Sequence, residues 1–144
     1  MMLISHRGNI NGKKPELENQ PKYILKGVLE GYFVEVDVWN KDGLLWLGHD
    51  EPQYSPGHEW LGKLKSKLIF HAKNYQAIEL LQKLEFHWFW HDQDDYTLTS
   101  EGYIWAYPDK PSPGYKTIAV LPEIYNTNTK DFYGICSDLI GNYK

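Results

Sequence analysis

Short apolar runs separated by turn-forming residues recur along the whole chain. Most are flanked by glycine, proline, asparagine or aspartate and are rich in β-branched or aromatic side chains, which favours strands over helices. We predict eight strands, at Met2–His6, Tyr32–Val38, Leu44–Gly48, Lys67–Lys73, Phe86–His91, Tyr103–Tyr107, Thr117–Leu121 and Gly134–Asp138.

Three segments between these strands have helical character. Asn19–Glu30 carries an apolar stripe and is followed by Gly31, a residue that commonly ends helices. Tyr75–Leu84 carries a second stripe and follows Asn74, a residue type that caps helix N-termini. Glu59–Lys65 is a shorter candidate helix.

The alternation of strands and helices predicts an α/β fold with a mainly parallel sheet. Seven or eight strands suggest a barrel, but an eightfold α/β barrel usually takes about 250 residues, and this chain has 144. Pro108–Lys116 and Glu123–Tyr133 resemble loops where outer helices would normally lie. We therefore predict one domain over residues 1–144, an abridged TIM-type (β/α) barrel with several outer helices shortened or missing. An open α/β sheet is the alternative.

Composition narrows the functional class. The formal charge of −4 and the pI near 5.8 give no basic footprint for nucleic acid. A single cysteine, Cys136, rules out an internal disulfide framework and fits a reducing compartment. No apolar run approaches the about 20 residues that span a bilayer, and the first residues lack a signal-like run. We expect a cytoplasmic protein without membrane insertion.

The strand Tyr32–Val38 carries two carboxylates on one face. Side chains alternate along a strand, so Glu35 and Asp37 point the same way, while the intervening valines pack on the other side. Neighbouring, partly buried carboxylates repel each other, and a hard cation such as Mg²⁺ or Ca²⁺ relieves this repulsion. The alternative is a solvated pair of strand carboxylates.

The dipeptide Asp42-Gly43 predicts a two-residue hairpin turn. Folding there pairs Trp39 with Trp46 and Asp37 with Gly48, which brings His49 beside the carboxylates. Asp50 would then orient His49 or fix its tautomer. The alternative is an exposed His-Asp turn.

His6-Arg7-Gly8 ends the first predicted strand, and barrel active sites lie at the carboxyl ends of strands. The planar guanidinium of Arg7 matches the geometry of a phosphate, and Gly8 permits a sharp turn. The alternative is an ordinary strand end.

Two later strands carry further candidates. His71 and Lys73 share a face of the strand Lys67–Lys73, so that His71 is a candidate metal ligand and Lys73 a candidate phosphate-binding residue. The alternative is a satisfied buried histidine with a lysine at the strand end. His91 is a secondary candidate for substrate contact, with a structural role as its alternative. A different metal hydrolase that uses His71 and His91 is a further possibility.

Taken in chain order, these motifs resemble the glycerophosphodiester phosphodiesterase family. That family has a His-Arg-Gly strand end, then Glu-Asn, Glu-x-Asp, an Asp-Gly turn and His-Asp. The corresponding residues here are His6-Arg7-Gly8, Glu18-Asn19, Glu35-x-Asp37, Asp42-Gly43 and His49-Asp50. The match covers the first third of the chain closely and the rest loosely.

The resemblance implies a TIM-type barrel and cleavage of a phosphodiester. It implies roles for the matched residues: Glu35 and Asp37 as metal ligands, His6 and His49 as the general acid–base pair, Arg7 and Lys73 as catalytic groups that hold the phosphate, and Glu18 as a residue that supports the substrate site.

The chain departs from the family at His71, where the family has Asp or Glu as a third metal ligand. A neutral imidazole in place of an anion shifts the preference from Mg²⁺ or Ca²⁺ toward Mn²⁺ or Zn²⁺. We expect a metal-dependent phosphodiesterase acting on a small glycerol- or sugar-linked phosphodiester. The alternative is a catalytically weak or inactive module that binds a phosphate ligand on the same fold.

Overall fold

The computed structural model describes all 144 residues and contains nine strands and three α-helices. The strands are β1 (Met2–His6), β2 (Phe33–Lys41), β3 (Leu44–Leu47), β4 (Leu68–Ala72), β5 (Trp88–Phe89), β6 (Tyr96–Leu98), β7 (Ile104–Ala106), β8 (Thr117–Val120) and β9 (Gly134–Ser137). The helices are α1 (Pro21–Leu29), α2 (His58–Lys63) and α3 (Tyr75–Lys83), and three short 3₁₀ helices cover Lys65–Lys67, Pro122–Ile124 and Ile140–Tyr143.

The strands form one sheet that almost closes on itself. Its order is β5-β4-β2-β1-β9-β8-β7-β6, and β3 pairs with β2 outside this path. All pairs are parallel except β2–β3 and β6–β7. Hydrogen bonds from Ser100 N to Trp88 O (2.7 Å) and from Thr97 Oγ1 to Trp90 O (2.9 Å) link the two ends of the path. The architecture is therefore a mixed α/β fold with a nearly closed, barrel-like sheet.

Two apolar cores lie on opposite faces of this sheet. Val34, Val36 and Val38 of β2 pack outward with buried residues of the three helices, such as Ile24 and Leu81. The inner core is smaller and consists of Ile4, Ile69, Phe89, Trp105, Ile118, Val120 and Cys136. The alternation of β2 thus leaves Glu35 and Asp37 on the inner side, as predicted.

The structure confirms the eight predicted strands and the three helices, with ends shifted by a few residues. Asn74 caps α3 as expected, because its side chain accepts a hydrogen bond from Ala77 N at 3.1 Å. The segments predicted as helix-free loops contain no α-helix. Two differences stand out: β5 is shorter than the predicted Phe86–His91, and β6 lies in a segment for which no strand was predicted. No helix is long and apolar enough to cross a bilayer.

Candidate functional site

The candidate site lies on the inner face of the sheet, at the carboxyl ends of β1 and β4 and in the first half of β2 between them. The parallel register places His6 opposite Glu35 and Asp37 opposite His71. Because paired residues in parallel strands point to the same face, four polar side chains converge inside the sheet. All four are at least largely buried: Asp37 is fully buried and Glu35 is 2% exposed.

The turn after β1 directs Arg7 across this group. Arg7 adopts a left-handed conformation with φ 56°, and Gly8 follows with φ 94°. A Cβ atom at Gly8 would lie 2.5 Å from Cδ2 of Tyr23, so glycine is required by both conformation and space. The Arg7 Nε atom lies 2.9 Å from Asp37 Oδ2, and Nη1 donates to Glu18 Oε2 at 3.3 Å.

Two asparagines hold the carboxylates in place. Asn19, with φ 64°, donates from Nδ2 to Asp37 Oδ2 at 2.9 Å and accepts from Asp37 N at 3.0 Å. Asn9 donates from Nδ2 to Glu18 Oε1 at 2.9 Å and to Asp138 Oδ1 at 2.8 Å. The predicted supporting residue Glu18 therefore acts on the site through Arg7 and Asn9.

Glu35, Asp37 and His71 form a compact cluster of donor atoms. His71 Nδ1 lies 3.3 Å from Asp37 Oδ1 and 3.9 Å from Glu35 Oε1, and one ligand atom from each residue falls within 4.8 Å of the others. Glu35 Oε2 and Asp37 Oδ1 are buried without a hydrogen-bond partner.

Burial and mutual repulsion set the pKa values in the cluster. Burial, and then the charge of Asp37, raise the pKa of Glu35 to about 7. Burial also opposes ionisation of Asp37, but His71 and Arg7 outweigh it and hold the pKa of Asp37 well below its usual range. Burial lowers the pKa of His71 despite the nearby Asp37. At neutral pH Asp37 is thus ionised and His71 is neutral, while Glu35 keeps its proton to a higher pH than an ordinary carboxyl group.

The unpaired oxygens and the donor set fit a small divalent cation. Two ligands that each lie about 2.1 Å from one ion are about 3.0–4.2 Å apart. This range includes the distances from His71 Nδ1 to Asp37 Oδ1 and to Glu35 Oε1, whereas the cluster as a whole spans up to 4.8 Å, so a bound ion would draw the carboxylates slightly closer together. A cation would also remove the repulsion that raises the pKa of Glu35. A mixed carboxylate–imidazole set favours Mn²⁺ or Zn²⁺ over Ca²⁺.

His6 is held by a carboxylate on its far side. Its Nδ1 lies 2.7 Å from Asp138 Oδ1, and its Nε2 lies 3.8 Å from Glu35 Oε2. Burial lowers the proton affinity of the ring, but Asp138 and Glu35 outweigh burial, so that the pKa of His6 is raised. With Nδ1 donating to Asp138, Nε2 faces the interior and can accept or release a proton.

His49 reaches the site through the predicted hairpin. Trp39 pairs with Trp46, and Gly48 N donates to Asp37 O at 3.1 Å, which confirms the predicted register. His49 Nδ1 lies 2.7 Å from Asp50 Oδ1, the contact expected of a residue that orients the ring. The pair is exposed, with 42% of the His49 side chain and 91% of the Asp50 side chain accessible, so the alternative of an exposed His-Asp turn also describes this segment.

Gly48 shapes the turn that carries His49. Its φ is 152°, and a Cβ atom there would approach Glu51 O to 2.0 Å. The Gly48 carbonyl also accepts a hydrogen bond from Trp39 Nε1 at 2.7 Å. No other residue would allow the chain to turn so closely on itself at this point.

A cavity of about 200 Å³, here called the inner cavity, connects these groups. The remaining predicted site residues, Lys73 and His91, line it together with His6, Arg7, Glu35, His49 and His71. A second, outer cavity of about 390 Å³ shares Arg7 and His49 with it and has no hydrophobic residue in its lining. Every residue predicted for the site from sequence therefore lines one of these cavities or, in the case of Asp37, contacts a residue that does.

Three polar residues of this region were not among the predicted site residues: Asn9, Tyr107 and Asp138. Asp138 directly follows the buried strand β9, and Tyr107 directly follows β7, so their positions at carboxyl strand ends were a usable indication. Asn9 carries no such indication, because its role depends on a loop conformation.

No protein-family model, curated protein or solved structure matches this chain.

Proposed function

We propose that this protein is a metal-dependent phosphodiesterase on an abridged TIM-type barrel, acting on a small glycerol- or sugar-linked phosphodiester. One observation carries the proposal. Two histidines, His6 and His49, each bind a carboxylate through Nδ1 at 2.7 Å and line the same small cavity as Glu35. The motif order that resembles the glycerophosphodiester phosphodiesterase family supports the same assignment.

The two histidines would divide the proton transfers. We assign His6 as the base, because its raised pKa makes Nε2 a good acceptor for the proton of the nucleophile, water or a neighbouring substrate hydroxyl. We assign His49 as the acid that protonates the leaving alkoxide as the phosphorus–oxygen bond breaks. Arg7 and Lys73 would bind the phosphate oxygens from the cavity wall.

Glu35, Asp37 and His71 would hold the metal. A bound divalent cation would supply Lewis-acid stabilisation of charge on a non-bridging phosphate oxygen. Asn19 and Arg7 fix the Asp37 carboxylate through Oδ2, which leaves Oδ1 directed toward His71 and available as a ligand.

The test is an assay of the purified protein on a panel of phosphodiesters with Mg²⁺, Ca²⁺, Mn²⁺ or a chelator. His6→Gln and His49→Gln preserve size and hydrogen bonding but cannot transfer protons, and we expect each to lower turnover by at least 100-fold. His58→Gln is the matched control, since His58 lies outside both cavities and its Nε2 accepts a bond from Leu45 N.

A phosphate-binding module without catalysis is the second candidate function. The observation in its favour is that Asp37 Oδ2 is already paired with Arg7 and Asn19, and that the third ligand is a neutral imidazole. Both features weaken a cation site. If the protein binds phosphate esters but turns over no diester, the binding module is supported and the enzyme is refuted.

A further inference from the structure

An apolar cavity lies at the amino-terminal end of the sheet, opposite the candidate site. We call it the amino-terminal cavity. It is formed at the starts of β1, β2, β7 and β9, and its lining consists only of hydrophobic residues: Met1, Met2, Phe33, Tyr103, Phe132 and Tyr133. Its volume of about 610 Å³ falls within the about 300–1,000 Å³ typical of small-molecule sites. The cavity is therefore large enough to hold a small molecule.

The rim of the amino-terminal cavity is open to solvent. Tyr133 is 44% exposed and Met1 is 68% exposed. The ring of Tyr115, which is 80% exposed, lies 6.4 Å from the ring of Tyr133 and extends the apolar surface beyond the cavity. Contiguous exposed apolar surface of this kind commonly marks a binding site, and here it would bind the apolar part of a ligand.

Two lysines flank the cavity. Lys67 directly precedes β4 and Lys116 directly precedes β8. The Lys67 Nζ atom lies 4.4 Å from the centre of the Phe33 ring, and the Lys116 Nζ atom lies 5.0 Å from the centre of the Tyr103 ring. Neither lysine pairs with a carboxylate, since the five lysines that form ion pairs are others. Unpaired ammonium groups beside an apolar cavity favour a ligand with negative charge.

A smaller adjoining cavity leaves this charge balance unchanged. Its volume is about 260 Å³, and its charged lining residues are Lys65 and Glu101. Glu101 lies 3.5 Å from Nδ1 of His87, and Lys65 lies 4.0 Å from Glu85. The charges of Lys67 and Lys116 therefore remain uncompensated.

The backbone around the amino-terminal cavity has few free hydrogen-bonding groups. Met2 N donates to Tyr133 O at 3.1 Å, and Tyr133 N donates to Thr117 O at 2.9 Å. Tyr103 N donates to Thr99 Oγ1 at 3.1 Å, and Tyr103 O accepts from Thr99 N at 2.8 Å. An extended peptide that binds a sheet does so mainly through such groups. These contacts favour a ligand recognised by apolar surface and charge over a peptide strand.

We propose that the amino-terminal cavity binds an anionic amphiphile with a single acyl chain, namely a free fatty-acid carboxylate. The acyl chain lies against the hydrophobic lining, and the carboxylate lies at the rim, where Lys67 and Lys116 attract it. This site is at the opposite end of the sheet from the proposed phosphodiesterase site and does not depend on it.

The test compares two probes with the same chain and opposite charge, decanoate and decyltrimethylammonium, by calorimetry below their critical micelle concentrations. We expect the wild-type protein to bind one decanoate and to prefer it over the cation by about tenfold. Lys67→Gln and Lys116→Gln should each lower the affinity for decanoate about threefold, because each removes one partly exposed charge. Tyr133→Ala removes apolar surface and should lower the affinity for both probes alike.

Lys41→Gln is the matched control. Lys41 also lies over an aromatic ring, with its Nζ atom 5.1 Å from the centre of the Trp46 ring, but it belongs to the β2–β3 hairpin and not to the cavity. Its affinity for decanoate should equal that of the wild type. Thermal unfolding of each variant checks that the fold is intact.

Several results would overturn the fatty-acid site. One is no saturable binding of decanoate, and another is equal affinity for the two probes. A third is an affinity that neither Tyr133→Ala nor the double substitution of Lys67 and Lys116 by Gln changes, which would place the probe elsewhere.

Other occupants of the cavity would give different results, and each of these would also refute the proposal. A dimer in sedimentation that Tyr133→Ala dissociates would show that a second copy covers the cavity. Binding to phosphatidylglycerol vesicles without binding of decanoate would show that the surface contacts a membrane. None of these measurements uses turnover of a diester, so their outcomes are independent of the proposed function.

Discussion

The two ends of the barrel-like sheet differ in whether their buried polar side chains have hydrogen-bond partners. At the amino-terminal end, the buried His87 binds Thr99 Oγ1 through Nε2 at 2.7 Å and lies 3.5 Å from Glu101 through Nδ1. At the carboxyl-terminal end, His91 Nδ1 has no partner. Seven buried side-chain atoms make no hydrogen bond, although one of them, Arg7 Nε, forms the ion pair with Asp37. Six of the seven belong to residues in or around the candidate site: Arg7, Glu35, Asp37, His91, Tyr107 and Glu123.

Apolar surface, by contrast, is concentrated at the amino-terminal end of the sheet. The amino-terminal end carries a cavity of about 610 Å³ lined only by hydrophobic residues, among them Phe33 and Tyr103. Lys67 covers the Phe33 ring at 4.4 Å, and Lys116 covers Tyr103 at 5.0 Å. The lysine ammonium groups there make cation–π contacts with the aromatic rings. At the opposite end, by contrast, several buried polar atoms make no hydrogen bond. The two ends therefore differ in the surface that they present, which is polar and partly unpaired at the carboxyl-terminal end and apolar at the amino-terminal end.

The largest expected effect is on stability and concerns Asp37. Asp37→Asn removes the charge that faces the buried Arg7, and breaking a buried ion pair from one side typically costs about 3–5 kcal/mol. Asp50→Asn, at a side chain that is 91% exposed, is the control and should change stability little. Urea unfolding of the metal-free protein measures both. An equal, small effect for both variants would mean that the carboxyl-terminal end contributes no stability through its ion pairs.

The second expected effect is a gain in stability rather than a loss, and it concerns the replacement of Glu35. Its pKa is raised by burial to about 7, so between pH 4.5 and 7 the folded protein keeps a proton that the unfolded chain releases. Its contribution to stability is therefore largest below pH 4.5 and falls as pH rises to about 7.

Glu35→Gln should remove this fall in stability. Relative to the wild type, the variant should gain on the order of 2–3 kcal/mol in unfolding free energy between pH 4.5 and 7.5 without metal. Urea unfolding at several pH values measures the difference. A wild type and variant with parallel pH profiles would show that Glu35 is an ordinary, solvated carboxylate and would weaken the contrast between the two ends.

The sequence alone was sufficient to predict features whose geometry depends on residues close together in the chain. The alternation of β2 placed Glu35 and Asp37 on the inner face, and the Asp42-Gly43 turn fixed the register of the hairpin, as the Trp39–Trp46 pair confirms. The helix-free loops followed from proline and glycine content. Each of these depends on residues close together in the chain.

Features that depend on distant contacts were not accessible in the same way. β6 has only three residues and gains its place by pairing with β7 and by lying beside β5. The contact between His6 and Asp138 spans 132 positions, and no local pattern predicts which strand ends become neighbours. Asn9 depends on a loop whose conformation is set by the same distant partners.

A third prediction concerns metal affinity and its dependence on pH. Glu35 must lose its proton to bind a cation, so with a pKa of about 7 the affinity for Mn²⁺ should fall about tenfold between pH 8 and pH 6. Calorimetric titration measures the affinity. Glu35→Ala should abolish binding, and His91→Ala should preserve it, since His91 lies outside the donor cluster. The reverse pattern would support a metal hydrolase that uses His71 and His91.

The smallest predicted effect compares one hydroxyl from each end. Thr99→Val removes the partner of the buried His87 Nε2 and should destabilise the protein by about 1 kcal/mol, because a buried polar group loses its hydrogen bond. Tyr107→Phe removes a hydroxyl that has no protein partner, so unfolding free energy should stay the same or rise. Urea unfolding without ligand measures both. Equal destabilisation by the two substitutions would show that Tyr107 is satisfied within the protein, and the difference between the two ends would then disappear at this position.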